Sequence, residues 1–145
     1  TMINDPNNPK YTISSAANLL EISVHTLRMY EREGLILPFK KESGQRLYSD
    51  KDLDRIKCIR KTINEDKITI EGIRRILSLM PCWSIVECNA SDRDSCEAYN
   101  SHEKPCWMIN HKNNFCEGKD CRECEVYQSF GTCDSIKNKL KQLLV

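Results

Sequence analysis

Apolar positions recur at helical spacing through the first half of the chain and then give way to cysteine. Ile13, Ala16, Ala17 and Leu20 share one face of a helix expected over residues 14–20. Ser23 follows a turn of about three residues, and its hydroxyl can accept from an otherwise unpaired first-turn amide. A second helix is therefore expected to open there, with Val24 and Leu27 inward and Gly34 as its stop. Two helices joined so closely have helix-turn-helix spacing. Between Leu35 and Tyr48, short apolar and aromatic runs flank a polar turn containing Gly44, the pattern of a small hairpin or wing. Ser49 and Asp52 resemble a capping box, with Asp in place of Glu, opening a third helix whose Leu53, Ile56, Ile59 and Ile63 form an apolar stripe. Thr69 can cap a fourth helix with Ile70, Ile73, Leu77 and Met80 inward. The order is that of a winged helix-turn-helix.

Pro81-Cys82-Trp83 marks a shift in composition. Of nine cysteines, only Cys58 precedes residue 81; seven lie between Cys82 and Cys124, and Cys133 stands near the end. The chain is accordingly read as a flexible N-terminus (1–10), a winged helix-turn-helix domain (11–80), a small irregular Cys-rich module (81–132) and a short amphipathic C-terminal helix (133–145). The fold class is mainly α with a small β wing. In the tail, Ile136, Leu140, Leu143 and Leu144 share one helical face, and so short a helix needs a packing partner. Self-association as a homodimer is the expected partner, with docking onto the Cys-rich module as the alternative.

Charge supports a division of labour. Residues 11–80 carry 13 basic and 10 acidic side chains, whereas 81–145 carry 8 and 10. The front part can face a polyanion. No run approaches the roughly 18–20 apolar residues of a membrane helix, and no secretory signal opens the chain, so a cytoplasmic protein without membrane contact is expected. A recognition helix fits the major groove of double-stranded DNA, and a wing can reach the adjacent backbone. His25, Thr26, Arg28, Tyr30 and Arg32 lie on or near the second helix, and Lys40, Lys41 and Arg46 on the wing. Arginine can grip phosphate with its forked donor, and a tyrosine hydroxyl supplies an orienting bond.

The ordered combination of Tyr11-Thr12-Ile13, Val24-His25-Thr26-Leu27-Arg28-Met29-Tyr30-Glu31, Gly34-Leu35-Ile36 and Gly44-Gln45-Arg46-Leu47-Tyr48-Ser49-Asp50-Lys51-Asp52-Leu53 resembles the MerR family of transcription regulators. By that resemblance, Ser14 begins the first helix, and Thr26, Arg28, Tyr30 and Arg32 belong to the DNA-reading helix. Lys40, Lys41, Arg46 and Tyr48 match wing positions that meet the DNA backbone. His25 and Met29 stand where the family often has Arg and a second aromatic. The family binds operator DNA as a dimer and commonly bends or untwists a promoter, which implies RNA polymerase as a partner. Its usual long dimerisation helix is interrupted here by Pro81.

The Cys-rich module contains an internal echo. Pro81-Cys82-Trp83 leads through Cys88 to Cys96-Glu97-Ala98-Tyr99, and Pro105-Cys106-Trp107 leads through Cys116 and Cys121 to Cys124-Glu125-Val126-Tyr127. It resembles the cysteine-tryptophan paired modules appended to some bacterial signalling proteins. Clustered thiols in a reducing compartment are more often metal ligands or redox groups than permanent cross-links. Cys116-x4-Cys121-x2-Cys124 has the three-cysteine spacing of plant-type ferredoxins, so an iron–sulfur cluster is expected, held by Cys106, Cys116, Cys121 and Cys124, with Cys82, Cys88 and Cys96 as further candidates. Tetrahedral zinc and thiol–disulfide switching are the alternatives. Cys58 is expected to pack on a helix and Cys133 to be unliganded; His102 and His111 are read as exposed loop residues, and Trp83 and Trp107 as packing anchors. The function expected is DNA-binding regulation with redox or small-molecule sensing; a zinc-stabilised regulator without sensing is the alternative. A redox carrier or enzyme is the remote one, since no catalytic base, nucleotide loop or substrate motif supports it.

Overall fold

Thr12 sets the first helix. Its Oγ1 accepts from the Ser15 amide at 3.2 Å, so α1 runs over Ile13–Leu20, one residue earlier than the apolar pattern indicates. The computed structural model describes residues 5–86, 88, 90–109, 116, 120–129, 138 and 141–142. Ser23 caps α2 (Val24–Arg32) as expected, accepting from the Thr26 amide at 3.0 Å. Gly34, at φ 79°, then stops that helix: its amide donates to the Glu31 carbonyl at 3.0 Å, and the Leu35 amide donates to the Tyr30 carbonyl at 2.9 Å. This paired closure needs a left-handed residue after the cap, which glycine supplies without Cβ strain.

The wing is a hairpin of β2 (Phe39–Lys40) and β3 (Arg46–Tyr48), turned at Gly44 with φ 93°. A further strand, β1 (Tyr11–Thr12), pairs antiparallel with β3 on its other side, Tyr11 opposite Tyr48 and Thr12 opposite Leu47. The order β1-β3-β2 thus fastens the wing to the start of α1. The capping box at Ser49 forms in both directions, at 3.1 and 2.8 Å, and opens α3 (Asp50–Asn64). Leu53, Ile56 and Ile59 are buried as the stripe requires; Ile63 is half-buried.

The chain divides into two compact units, residues 1–67 and 68–145. Leu27, Tyr30, Leu35, Ile36, Tyr48, Ile56 and Ile59 form the core of the first. Arg55 is buried there too, and its Nε donates to the Leu35 carbonyl at 2.9 Å. The second unit opens with α4 (Ile70–Ser78), capped by Thr69, with Ile73, Leu77 and Met80 buried. Short turns follow: α5 (Cys82–Ile85), α6 (Ala90–Ser95), α7 (Glu97–Asn100), 3-10 turns at Cys106–Met108 and Cys121–Glu123, and α8 (Glu125–Gln128). Among the described residues, no helix is long and apolar enough to cross a membrane. The amphipathic tail over 133–145 and His111 lie largely or wholly outside the described residues, and Cys133 lies outside them.

The sequence echo has a structural counterpart. Trp83 meets Tyr99 edge to face at 5.0 Å between ring centroids, and Trp107 meets Tyr127 in the same manner at 5.1 Å. Each such pair adds about 0.5–1.5 kcal/mol beyond the area it buries. Both terminal cysteines, Cys96 and Cys124, are the caps of one-turn helices, and α5 of the first repeat packs on α8 of the second. The tryptophans are packing anchors, as expected.

Candidate nucleic-acid interface and thiol-lined cavity

In the first unit, the α1 start, α2 and the wing enclose an open groove of about 710 Å³, lined by Thr12, Ile13, Ser14, Arg28, Glu31, Arg32, Gly44, Gln45 and Arg46. Four of the predicted contact residues therefore converge: Ser14, Arg28, Arg32 and Arg46. His25 is exposed and Thr26 half-buried on α2, and Lys40 and Lys41 are exposed on the wing, all outside the groove lining. Thr26 shares its hydroxyl with Ser23 at 2.8 Å, which ties it to the cap.

Arg46 is held differently from expectation. Its Nε lies 3.1 and 3.2 Å from the two Glu31 carboxylate oxygens, its Nη2 donates to Glu31 Oε2 at 2.9 Å, and its Nη1 donates to the Gly44 carbonyl at 2.9 Å. The bond to Glu31 and its negative charge raise the Arg46 pKa further above its ordinary value. Arg46 thus clamps the wing turn onto the recognition helix. Glu31 and Thr12 are groove residues to which the sequence pattern assigned no role.

Tyr30 and Tyr48 correct the expectation of hydroxyls facing phosphate. They are 1% and 0% exposed, in the core of the first unit. The Tyr30 hydroxyl accepts from Arg60 Nη1 at 3.3 Å. The Tyr48 hydroxyl is buried with no hydrogen-bond partner among the described residues. Burial, then the charges of Glu31 and Asp52, push its pKa up to about 12. An unpaired buried hydroxyl costs roughly 1–3 kcal/mol, so Tyr48→Phe is expected to stabilise the fold by about 1 kcal/mol in denaturant titration. DNA affinity should not change. The sign of the pH effect follows from the same shift: the folded state keeps its proton above the unfolded pKa near 10, so stability falls as pH rises from about 10 to 12. Tyr48→Phe should remove that alkaline loss.

In the second unit, Cys82, Cys106, Cys116, Cys121 and Cys124 line one partly open cavity of about 20 Å³ with Trp107, Val126 and Tyr127. All four favoured cysteines meet there, joined by one from the first repeat. Cys88 and Cys96 do not line it, although both are free thiols. Cys106 donates its S–H to Cys82. That bond lowers the Cys82 thiol to about 7 and, with burial and the charges of Cys124 and Cys121, holds Cys106 protonated well above its ordinary range. Burial first, then Cys124 and Asp120, raises the Cys121 thiol. The five thiols surround the cavity without closing on it: among the described residues, no three Cys, His, Asp or Glu side chains reach metal-holding spacing. Cys58 is buried on α3, in keeping with its expected packing on a helix, and is disulfide-bonded. His102 is exposed, as expected.

Known proteins match both parts unevenly. Residues 11–79 match the family described as MerR HTH family regulatory protein. A Haemophilus influenzae protein named "Probable heavy metal-dependent transcriptional regulator" is 31% identical over 121 residues, covering 79% of this chain and 94% of that protein. The HTH-type transcriptional regulator ZntR of Escherichia coli is 34% identical over 70 residues, 48% of this chain and 49% of the relative. The HTH-type transcriptional regulator MlrA of the same species is 36% identical over 69 residues, 47% and 28%. The chain spans about half the length or less of most of these relatives. With one relative matched across nearly its full length, and with the capped helix pair and its clamped wing in place, the chain belongs to the MerR family of helix-turn-helix regulatory proteins.

Proposed function

We propose that the protein is a cytoplasmic transcription regulator that binds double-stranded DNA as a homodimer at a promoter served by RNA polymerase, and that its thiol-lined cavity holds an iron–sulfur cluster reporting redox state or a small molecule. The observation that carries the sensing half is the convergence of cysteines from both repeats on one cavity walled otherwise by Trp107, Val126 and Tyr127. The donor set fits such a group in chemistry: sulfur ligands select soft metals and clusters, and among the described residues no carboxylate or imidazole lines the cavity to suit a hard cation. Cys106, Cys116, Cys121 and Cys124 would hold it, with Cys82 at hand as a fifth thiol. When bound, the cluster would supply one-electron redox chemistry. The chain's own contribution is to keep water away with the Trp107 and Tyr127 rings and to favour the thiolate at Cys82, which accepts from the Cys106 S–H. On the DNA side, Ser14, Arg28 and Arg32 would meet phosphate, with His25, Thr26, Lys40 and Lys41 flanking.

A specific observation favours a second reading, a single zinc ion. The cavity has room for about one atom-sized body, which suits a lone tetrahedral ion. The name of the Haemophilus influenzae relative is consistent with a metal-responsive regulator of either kind. Anaerobic purification followed by metal and acid-labile sulfide analysis decides between them. A brown protein with iron and sulfide in comparable amounts is the expected result. A colourless protein with one zinc per chain would replace the cluster by the ion, and a protein with neither would end the metal reading.

A further inference from the structure

The two prolines of the echo open matched turns. The Ser84 amide donates to the Pro81 carbonyl at 3.0 Å, and the Met108 amide donates to the Pro105 carbonyl at 3.0 Å. Each turn starts on the cysteine after its proline, Cys82 in the first repeat and Cys106 in the second. Each carries a tryptophan that meets the tyrosine of its own repeat edge to face. Cys82 and Cys106 are thus equivalent positions of two similarly built halves.

These equivalent cysteines meet. Both line the thiol cavity, and the Cys106 S–H is bonded to the Cys82 sulfur. Among the described residues, Cys82 is the one cysteine of the first repeat on that wall; Cys88 and Cys96 are free thiols that do not line it. Contact between like positions of two similar halves is the self-complementary kind that a twofold arrangement produces. It sets two free thiols from separate segments against each other, while α5 packs on α8. Such a pair can do what a lone thiol cannot, which is to close on itself as a disulfide. In a reducing compartment, cross-links of this kind are transient and serve catalysis or redox sensing.

We propose that Cys82 and Cys106 are a redox pair that joins the two repeats through a reversible disulfide, with a low-molecular-weight disulfide as oxidant. One protein thiolate attacks the oxidant's S–S bond, forming a mixed disulfide and expelling one small thiol. The partner thiolate then attacks the protein-bound sulfur, forming the Cys82–Cys106 bond and expelling the second small thiol. Two electrons pass from the pair to the oxidant, and the two S–H protons end on the two thiols released. Excess small thiol runs the exchange backward. The pair stands on the meeting of the two repeats, with or without a metal. Its second consequence rests on the reading of the cavity as a metal centre: disulfide and metal exclude each other. A sulfur held in a disulfide is no longer the thiolate that a metal needs, and Cys106 is one of the four proposed ligands.

The test uses the full chain, stripped of metal, incubated with oxidised glutathione, digested without reduction and mapped by tandem mass spectrometry. A peptide cross-linked through Cys82 and Cys106 is the expected result, and it should disappear on adding reduced glutathione. Cys82→Ser should stop Cys106 at the glutathione mixed disulfide, and Cys106→Ser should do the same to Cys82. Wild-type chain preloaded with Zn(II) should form the cross-link severalfold more slowly. A metal-free wild-type chain that leaves both thiols reduced, carries glutathione on each separately, or joins either to another cysteine would overturn the pair; zinc uptake by that same chain would leave the metal centre standing. A cross-link in a chain that takes up neither zinc nor iron would uphold the pair and remove the metal reading. Bound zinc that gives no protection would overturn the exclusion of one state by the other.

Discussion

Arg28→Ala is expected to weaken binding to an operator recovered by in vitro selection about tenfold to a hundredfold, and to reduce the slope of log affinity against log salt by about one. Arg28 is exposed on α2 and lines the groove with Ser14 and Arg32, so nothing in the fold should respond to its loss. The effect should be nearly uniform across duplexes if the contact is to phosphate. Unchanged affinity and slope would remove Arg28 from the interface. Arg46 requires a different experiment, because its donors are already spent on Glu31 and Gly44. Arg46→Ala should weaken binding by leaving the Glu31 carboxylate uncompensated in a groove meant for phosphate. Glu31→Ala on top of it should then recover most of the loss. If the double variant binds as poorly as Arg46→Ala alone, Arg46 meets the backbone itself.

That pair shows where reading the chain stops short. Ser23, the Ser49–Asp52 box and Thr69 are local devices: each cap acts within three residues, and each forms as the sequence indicates. Gly34 is legible for the same reason, as the left-handed residue that ends α2. Glu31 and Arg46 are 15 residues apart, and only the fold brings them together. A tyrosine is equally at home in a core or at a phosphate, so Tyr30 and Tyr48 could not be placed by type; only the folded core decides it. β1 escapes notice because two residues show no alternation, and its strand character comes entirely from β3. In the Cys-rich module, spacing is enough to group Cys116, Cys121 and Cys124, which are close in the chain. Cys82 joins them only because the echoed repeats pack α5 against α8, a long-range consequence that no local spacing encodes.

Cys121→Ser is expected to abolish metal binding, while Cys88→Ser should leave its stoichiometry unchanged. Both are free thiols of the same module, but only Cys121 lines the cavity. The contrast therefore tests the site and not merely thiol content. A thiolate-held metal contributes on the order of 10 kcal/mol to a small module, so the second unit of Cys121→Ser should lose protection against proteolysis. The first unit has its own core and should keep its helical signal. The decisive measurement is operator affinity with and without metal. Coupling in such switches is typically ~1–3 kcal/mol, so wild-type affinity should change about fivefold to 150-fold on metal removal. The affinity of Cys121→Ser should sit at the stripped value whether or not metal is added. A centre that binds DNA-competent and DNA-incompetent arrangements equally well shifts nothing, however tightly it is held. Identical affinity of the loaded and stripped wild-type protein would thus make the thiol centre structural, with Arg28 and Arg32 reading DNA unregulated by it.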